Sequence, residues 1–251
     1  MDKNYYVEYF TLERSNWWFK ARLAILKNQL EKIAKGKNNL KILNIGAATG
    51  ATSEMLEAFG TVKSIEYDKE CFEFVKEKLN IDIEQGSILD LNFEENTFDI
   101  VCAFDVIEHV HDDEKAAYEM RRVCKKNGYI FVTVPAFMSL WGPHDVVNHH
   151  YRRYKIKRLK HIFSLNSRLE FVSYFNTLLF IPIFMVRFLS NLTPWLLKRE
   201  GSGSDFGMFK SAWLNVLFYT IFILEKPILS KRIRLPFGVS AMIISRKIRN
   251  A

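Results

Sequence analysis

Cysteine is scarce in this chain: Cys71, Cys102 and Cys124 are the only three in 251 residues, far apart and with no CxxC pair. That argues against a cysteine-built zinc site or a disulfide framework and leaves packing in apolar or helical stretches, as suits a reducing compartment. A leader is not evident either. The opening MDKNYYVEYF is charged and polar where a secretory signal would be apolar, so secretion is not expected. Long apolar runs are also missing. Residues 171–186 are sixteen without a charge and residues 212–224 are thirteen, against the roughly twenty needed to cross a bilayer.

Acidic residues all but vanish from the later part. Residues 1–150 carry 24 Asp/Glu and 18 Lys/Arg, whereas residues 151–251 carry 4 and 18, so a net +8 divides into −6 and +14. The basic residues sit beside the apolar runs, at Lys198-Arg199 and Lys231-Arg232-Ile233-Arg234. That pairing points to anionic lipid or phosphate more than to a solvated face. No nucleic-acid module accompanies it, and nucleic acid is not an expected partner.

What is present is 49% apolar residues and a strand–helix alternation. Residues 5–34 read as helix, broken by Lys35-Gly36-Lys37-Asn38-Asn39. Strands are expected at Lys41–Ile45, Val62–Ile65, Ile81–Glu84, Phe98–Phe104 and Tyr129–Val134, with helices at Ser53–Phe59, Lys69–Leu79 and Asp112–Lys125. A sixth strand at Leu169–Asn176 precedes the apolar stretch Thr177–Leu197, which Pro182 and Pro194 interrupt. A break at Gly201–Ser204, an apolar helix at Ala212–Leu224 and a final strand at Phe237–Ser245 complete the chain. Alternation at this pitch predicts an α/β, doubly wound, mostly parallel sheet.

The most telling stretch is Ile42-Leu43-Asn44-Ile45-Gly46-Ala47-Ala48-Thr49-Gly50, followed by Glu66 at the end of the next strand. A strand, a turn of tiny residues, a helix and then a carboxylate is how an α/β sheet holds an adenosine-containing cofactor. Small residues let the backbone approach the ligand, and the carboxylate accepts from two ribose hydroxyls. The spacing Gly46-x-Ala48-x-Gly50 lacks the further glycine of a pyrophosphate turn.

In these features the chain resembles the class I S-adenosylmethionine-dependent methyltransferases, and in particular a bacterial methyltransferase-11/12-like subgroup. Asn44, Gly46, Ala48 and Gly50 occupy the first motif, with Asn44 in place of the usual acid and Ala48 in place of the middle glycine. Ile65-Glu66-Tyr67-Asp68 resembles the second motif, and Gly86-Ser87-Ile88-Leu89-Asp90 the adenine segment, with Ser87 where an aspartate is usual. Phe98–Val110 is similar to the fourth-strand signature. Glu13 to Arg22, Trp141 to Asp145 with His149 to Tyr154, and Leu235 to Ser240 resemble segments of that subgroup, whose substrates are mostly unassigned and many of whose members are associated with cell-surface polysaccharide or lipid-linked sugar pathways.

The resemblance implies a Rossmann-like methyltransferase fold of seven strands and S-adenosyl-L-methionine as cofactor. The expected cofactor contacts are Asn44, Gly46, Ala48, Gly50, Glu66, Tyr67, Ser87, Ile88, Phe104, Asp105, His109 and Trp18. Residues 1–251 are expected to form one domain: 1–36 a helical lid, 37–168 the cofactor core, 177–235 an apolar basic insertion and 236–248 the last strand. A final strand lying antiparallel between strands five and six would argue against a nicotinamide oxidoreductase.

Methyl transfer to a hydroxyl needs a proton acceptor near the ends of strands four and five. Asp105, Glu108 and His109 follow strand four; His144, Asp145, His149 and His150 follow strand five. His144 with Asp145 is the expected base or substrate anchor, with His149 beside it as a third catalytic candidate; a metal site at these three residues is not the expectation. The expected acceptor is a small molecule, sugar or lipid-linked intermediate. The apolar insertion is read as a lid, a homodimer surface or a peripheral contact with anionic membrane, and the location as cytoplasmic, on the inner face of the membrane. The competing reading is a non-catalytic, membrane-associated binding protein that keeps the fold.

Overall fold

A computed structural model describes residues 3–192 and 211–249 of the chain. Its sheet contains β1 (Leu40–Ile45), β2 (Gly60–Glu66), β3 (Ile83–Gln85), β4 (Phe98–Phe104), β5 (Cys124–Pro135), β6 (Ser167–Phe175) and β7 (Ser240–Lys247). The spatial order is β3-β2-β1-β4-β5-β7-β6. The first five strands are parallel, and β7 runs antiparallel between β5 and β6. The doubly wound, mostly parallel sheet is therefore as the sequence indicates, and its terminal order is the one that argues against a nicotinamide oxidoreductase.

The strands are apolar on both sides because both faces are covered. Leu43 and Ile45 of β1 and Ala241 and Ile243 of β7 pack with α5 (Asp113–Val123) and α7 (Ile156–Phe163). The alternate residues Ile42, Met242 and Ile244 pack with α2 (Trp17–Ile33), α9 (Ala212–Ile223) and α10 (Glu225–Ser230). The period of two in each strand feeds two cores at once.

The stretch expected as one helix over 5–34 is two, α1 (Lys3–Ser15) and α2. Asn16 divides them: it is extended, and its side-chain oxygen accepts the Trp18 N–H at 2.9 Å, capping α2. The strand expected from Tyr129 begins at Cys124, which pairs with Phe98 before the register shifts, so Asn127-Gly128 belongs to an irregularity inside β5 and not to a turn before it. The final strand likewise starts at Ser240 and not at Phe237.

The insertion includes α8 (Phe180–Leu192), α9 and α10. Glu225, at the start of α10, is buried and accepts the N–H groups of Asn176, Thr177 and Leu178 at 2.7, 2.7 and 2.9 Å. One carboxylate thus satisfies the backbone leaving β6 and fixes the helices above it. Gly238 passes so close to the Phe175 backbone that a Cβ there would lie 2.3 Å from its carbonyl oxygen. Lys198-Arg199, Pro194 and the Gly201–Ser204 break lie outside the described residues.

Candidate functional site

A cavity of about 1100 Å³ lies across the C-terminal ends of the parallel strands, where open α/β sheets bind their ligands. One end is built from the turn after β1. Gly46 has φ +72°, and a Cβ on it would meet the Val106 side chain at 2.5 Å. Ala48 also lies in the left-handed region, with φ +46°. Its methyl is therefore not accommodated by an ordinary backbone angle, and the alanine stores strain at the site. Ala48→Gly is expected to stabilise the protein by about 0.5–1 kcal/mol, the relief exceeding the added freedom of the unfolded chain. Urea unfolding checks this, and a less stable variant would refute it.

Glu66 closes this end. Its carboxylate accepts the Ala48 N–H at 2.9 Å and the Asp68 N–H at 3.0 Å, locking the turn to the end of β2. Burial raises its pKa above the ordinary value, against those backbone bonds. Gly46, Ala48, Glu66, Tyr67, Ser87, Ile88 and Phe104 all line the cavity, as does Trp18. Ser87 accepts the Leu89 N–H at 3.2 Å, which leaves its O–H proton for another acceptor.

Two expected cofactor contacts do not line the cavity. Asn44 is wholly buried, and its amide donates to Thr52 and Ser53 at 2.9 Å each, tying β1 to α3 (Ala51–Leu56). Gly50 stands behind the turn as the residue before α3, with φ +94°. Asn44 thus replaces an acid with a donor that satisfies two buried hydroxyls, and its role here is structural.

The N-terminal helices close the cavity. The carboxylate of Glu13 in α1 is buried and accepts the Thr49 hydroxyl, and Tyr6 donates to Asp68 at 2.9 Å. Arg14 binds Glu54 at 2.6 Å. From α2, Arg22 pairs with Asp105 at 2.7 Å and donates to Thr133 at 3.2 Å, with its guanidinium 5.2 Å from the Trp18 ring. Asp105 lines the cavity, yet its charge is answered by Arg22. Sequence reasoning gave no role to Tyr6, Glu13 or Arg22. The signal was the spacing Glu13…Trp17-Trp18…Arg22, whose meaning depends on the break at Asn16.

The other end of the cavity is a histidine cluster. His109, His144 and His150 line it, with the His109 and His150 rings edge to face at 4.5 Å and those of His144 and His150 at 6.1 Å. The expected His144–Asp145 pair does not form. Asp145 is fully buried in α6 (Pro143–Val147) and binds His150 Nδ1 at 2.8 Å, Arg153 Nε at 2.8 Å and the Gly142 N–H at 2.9 Å. Burial opposes its ionisation, but the His150 bond and the Arg153 charge outweigh it and hold its pKa well below the carboxylate range. Asp145 is therefore no proton acceptor; it orients His150. His144 instead meets Asn148 Nδ2 at 3.2 Å, and His149 is exposed at the rim with φ +54°.

His109 Nδ1 lies 2.8 Å from the Asn148 carbonyl, which can only accept, so that nitrogen carries the proton. Burial, and then the neighbouring His150, push its pKa down to about 4. His109 thus belongs to the histidine end and not to the glycine turn. Glu108 beside it is wholly buried, with neither carboxylate oxygen hydrogen-bonded. Burial, and then Asp105, raise its pKa well above the usual range.

Glu108, His109 and His150 are also the one group among the described residues that could take a metal ion, with ligand atoms within 4.8 Å of one another. Both histidines have Nδ1 engaged, leaving Nε2 for the cavity, as metal-binding histidines do. The trio His144, Asp145, His149 does not form such a group.

A buried carboxyl that resists ionisation costs stability as pH rises from its unfolded value through its folded one. Glu108→Gln removes that cost. Relative to the wild type, the variant should therefore gain thermal stability progressively as pH increases above about 4.5. A pH-independent difference in melting temperature would show that Glu108 has no raised pKa.

Comparison with known proteins agrees with this geometry. Residues 43–132 match the methyltransferase domain family. The ubiquinone biosynthesis O-methyltransferase of Pelagibacter ubique is 28% identical over 152 residues, 50% of this chain and 62% of that protein. The phosphatidylethanolamine N-methyltransferase of Cereibacter sphaeroides is 28% identical over 110 residues, 41% of this chain and 54% of that one. The chain thus spans about half to three fifths of the length of these relatives. Among solved structures, phosphoethanolamine N-methyltransferase 2 of Haemonchus contortus, in complex with S-adenosyl-L-methionine, superposes with TM-score 0.54 at 16% identity, covering 89% of this chain and 53% of that one. The 4+2 cyclase SpnF superposes at 0.58 with 15% identity, covering 89% and 80%. At such identities the likeness is one of fold, and the cyclase shows that this fold also carries other chemistry.

Proposed function

We propose that this chain, a class I S-adenosylmethionine-dependent methyltransferase by its domain and its sheet order, transfers a methyl group to a hydroxyl of a small molecule, sugar or lipid-linked acceptor bound at the histidine end of the cavity. S-adenosylmethionine, when bound, supplies an electrophilic methyl on a sulfonium. The residues present fit it. Glu66 would hold the ribose diol at a turn whose Gly46 admits no side chain, Ser87 and Ile88 would meet the adenine, and Phe104 and Trp18 give an apolar wall.

The observation that carries the reading is the Asp145–His150 pair at the opposite end from Glu66. Asp145 holds His150 with its Nδ1 proton donated, so Nε2 is the basic nitrogen on the cavity side. That nitrogen can take the proton of an acceptor hydroxyl as its oxygen bonds to the methyl carbon and that carbon's bond to the sulfonium sulfur breaks, the sulfur leaving as a neutral thioether. His109, kept neutral by burial, adds a second unprotonated nitrogen beside it. Glu13 of α1 and Trp18 and Arg22 of α2 line the middle of the cavity.

Calorimetry with S-adenosylmethionine and its demethylated product tests the cofactor, and micromolar binding is expected. Isotopically labelled S-adenosylmethionine in cell extract then tests the acceptor, with label entering lipid, glycan or small molecules. No binding below millimolar would overturn methyl transfer and leave a non-catalytic binding protein. Label confined to amines would overturn the hydroxyl.

A further inference from the structure

We propose that the outer faces of α8 and α9 dock on an anionic bilayer, presenting the cavity to an acceptor held in that bilayer. The docking surface stands on its own observations; the identity of what enters rests on the methyl-transfer reading.

Both helices are apolar on two sides. Ile183 and Val186 of α8 and Phe218 of α9 line the cavity. Their opposite faces are bare: Ile181 is 66% exposed and Trp213 66%, with Met185, Phe188, Val216 and Leu217 exposed beside them. A surface helix normally turns polar residues outward, and contiguous exposed apolar faces mark a contact. At the rim, exposed Pro182 and Val186 of α8 line the cavity.

Charge selects the occupant. Between Thr177 and Arg234 the described residues include five Lys and Arg (Arg187, Lys226, Lys231, Arg232 and Arg234) and a single acid, Glu225. That acid is buried on the backbone of 176–178, so the exposed charges among these described residues, Lys231 and Arg234, are positive. Anionic headgroups answer that charge. A second copy would set basic rim against basic rim. Trp213 suits the headgroup boundary, where an amphipathic ring sits.

The helices lie on the membrane and do not cross it. Ala212–Ser230 is one stretch of 19 residues, enough by length and composition to span. Yet Phe222 and Leu229 are buried in the core with α2, and Glu225 is bound to the end of β6. Leaving would open that core, so an in-plane contact is the consistent geometry.

Flotation of the full chain with phosphatidylcholine vesicles, with and without phosphatidylglycerol, tests this. Co-flotation is expected with the anionic vesicles, falling tenfold or more in pure phosphatidylcholine. The variants I181E/M185E and W213E/V216E should each lose tenfold or more of vesicle binding while binding the demethylated cofactor product like the wild type. Wild-type protein left unfloated with anionic vesicles at low salt would overturn the proposal. So would a dimer, by light scattering, that the same variants convert to monomer. Failed cofactor binding would overturn methyl transfer while leaving the flotation result to judge the surface.

Discussion

Asp145→Ala is expected to lower stability by about 3–5 kcal/mol, the cost of leaving buried charge without its partner. Asp145 is completely buried and accepts from Gly142, His150 and Arg153, with Arg187 a further 3.5 Å away. Burial and the nearby Arg187 already push the pKa of Arg153 down, and Asp145 opposes them. Without it, two guanidinium groups face each other beside the cavity. Asp145→Asn keeps the volume and removes the charge, so it should cost most of the same amount. The pH dependence has a fixed sign. A carboxylate with a depressed folded pKa contributes its full stability above its unfolded value, about 3.9, and loses it as pH falls through the folded one. The gap between variant and wild type should therefore narrow below about pH 3.9. Urea unfolding at pH 7 that shows a loss under about 1 kcal/mol would remove Asp145 from this role.

His150→Ala is expected to reduce turnover by about 10²–10⁴-fold, the range for removing a general base. Affinity for the demethylated cofactor product should stay near the wild-type value, because His150 lies at the far end of the cavity from Glu66. His144→Ala and His149→Ala should each cost less than about tenfold, since neither ring is held by Asp145. The assay is the labelled-methyl transfer into whichever extract fraction takes label. Wild-type turnover in His150→Ala, or a larger loss in His144→Ala, would move the base back to the residue that adjacency in sequence favours. A loss of cofactor binding in His150→Ala would make its role structural.

How far these expectations could be read from the chain varies with the kind of contact. The glycine turn, Glu66 and the apolar fourth strand are local features, and one backbone segment carries each. Their order along the chain was enough to place them together at one end of the cavity. Asn44 shows the limit. Its position in the motif is that of a cofactor-side residue, but the direction of its side chain depends on the hydroxyls of Thr52 and Ser53, which only the packing of α3 brings near. Ala48 shows another, because the sign of φ is set by the pull of Glu66 on its N–H.

The histidine end was legible only as a list. Seven acids and histidines follow strands four and five, and adjacency favoured His144 with Asp145. In a short helix neighbouring residues point apart, so Asp145 turns inward to Arg153 while the chain returns to bring His150 onto it. The same return sets His150 beside His109 from another strand end.

Sequence alone determined the α/β alternation, the glycine turn with its carboxylate, and the charge imbalance with its adjacent apolar runs. These are properties of composition and spacing, which no distant contact can change. Tertiary structure decided which histidine is paired, which acid is neutralised, and which face of each apolar helix remains bare. Those are decided by residues far apart in the chain: Arg22 reaches Asp105, and Glu225 reaches the end of β6.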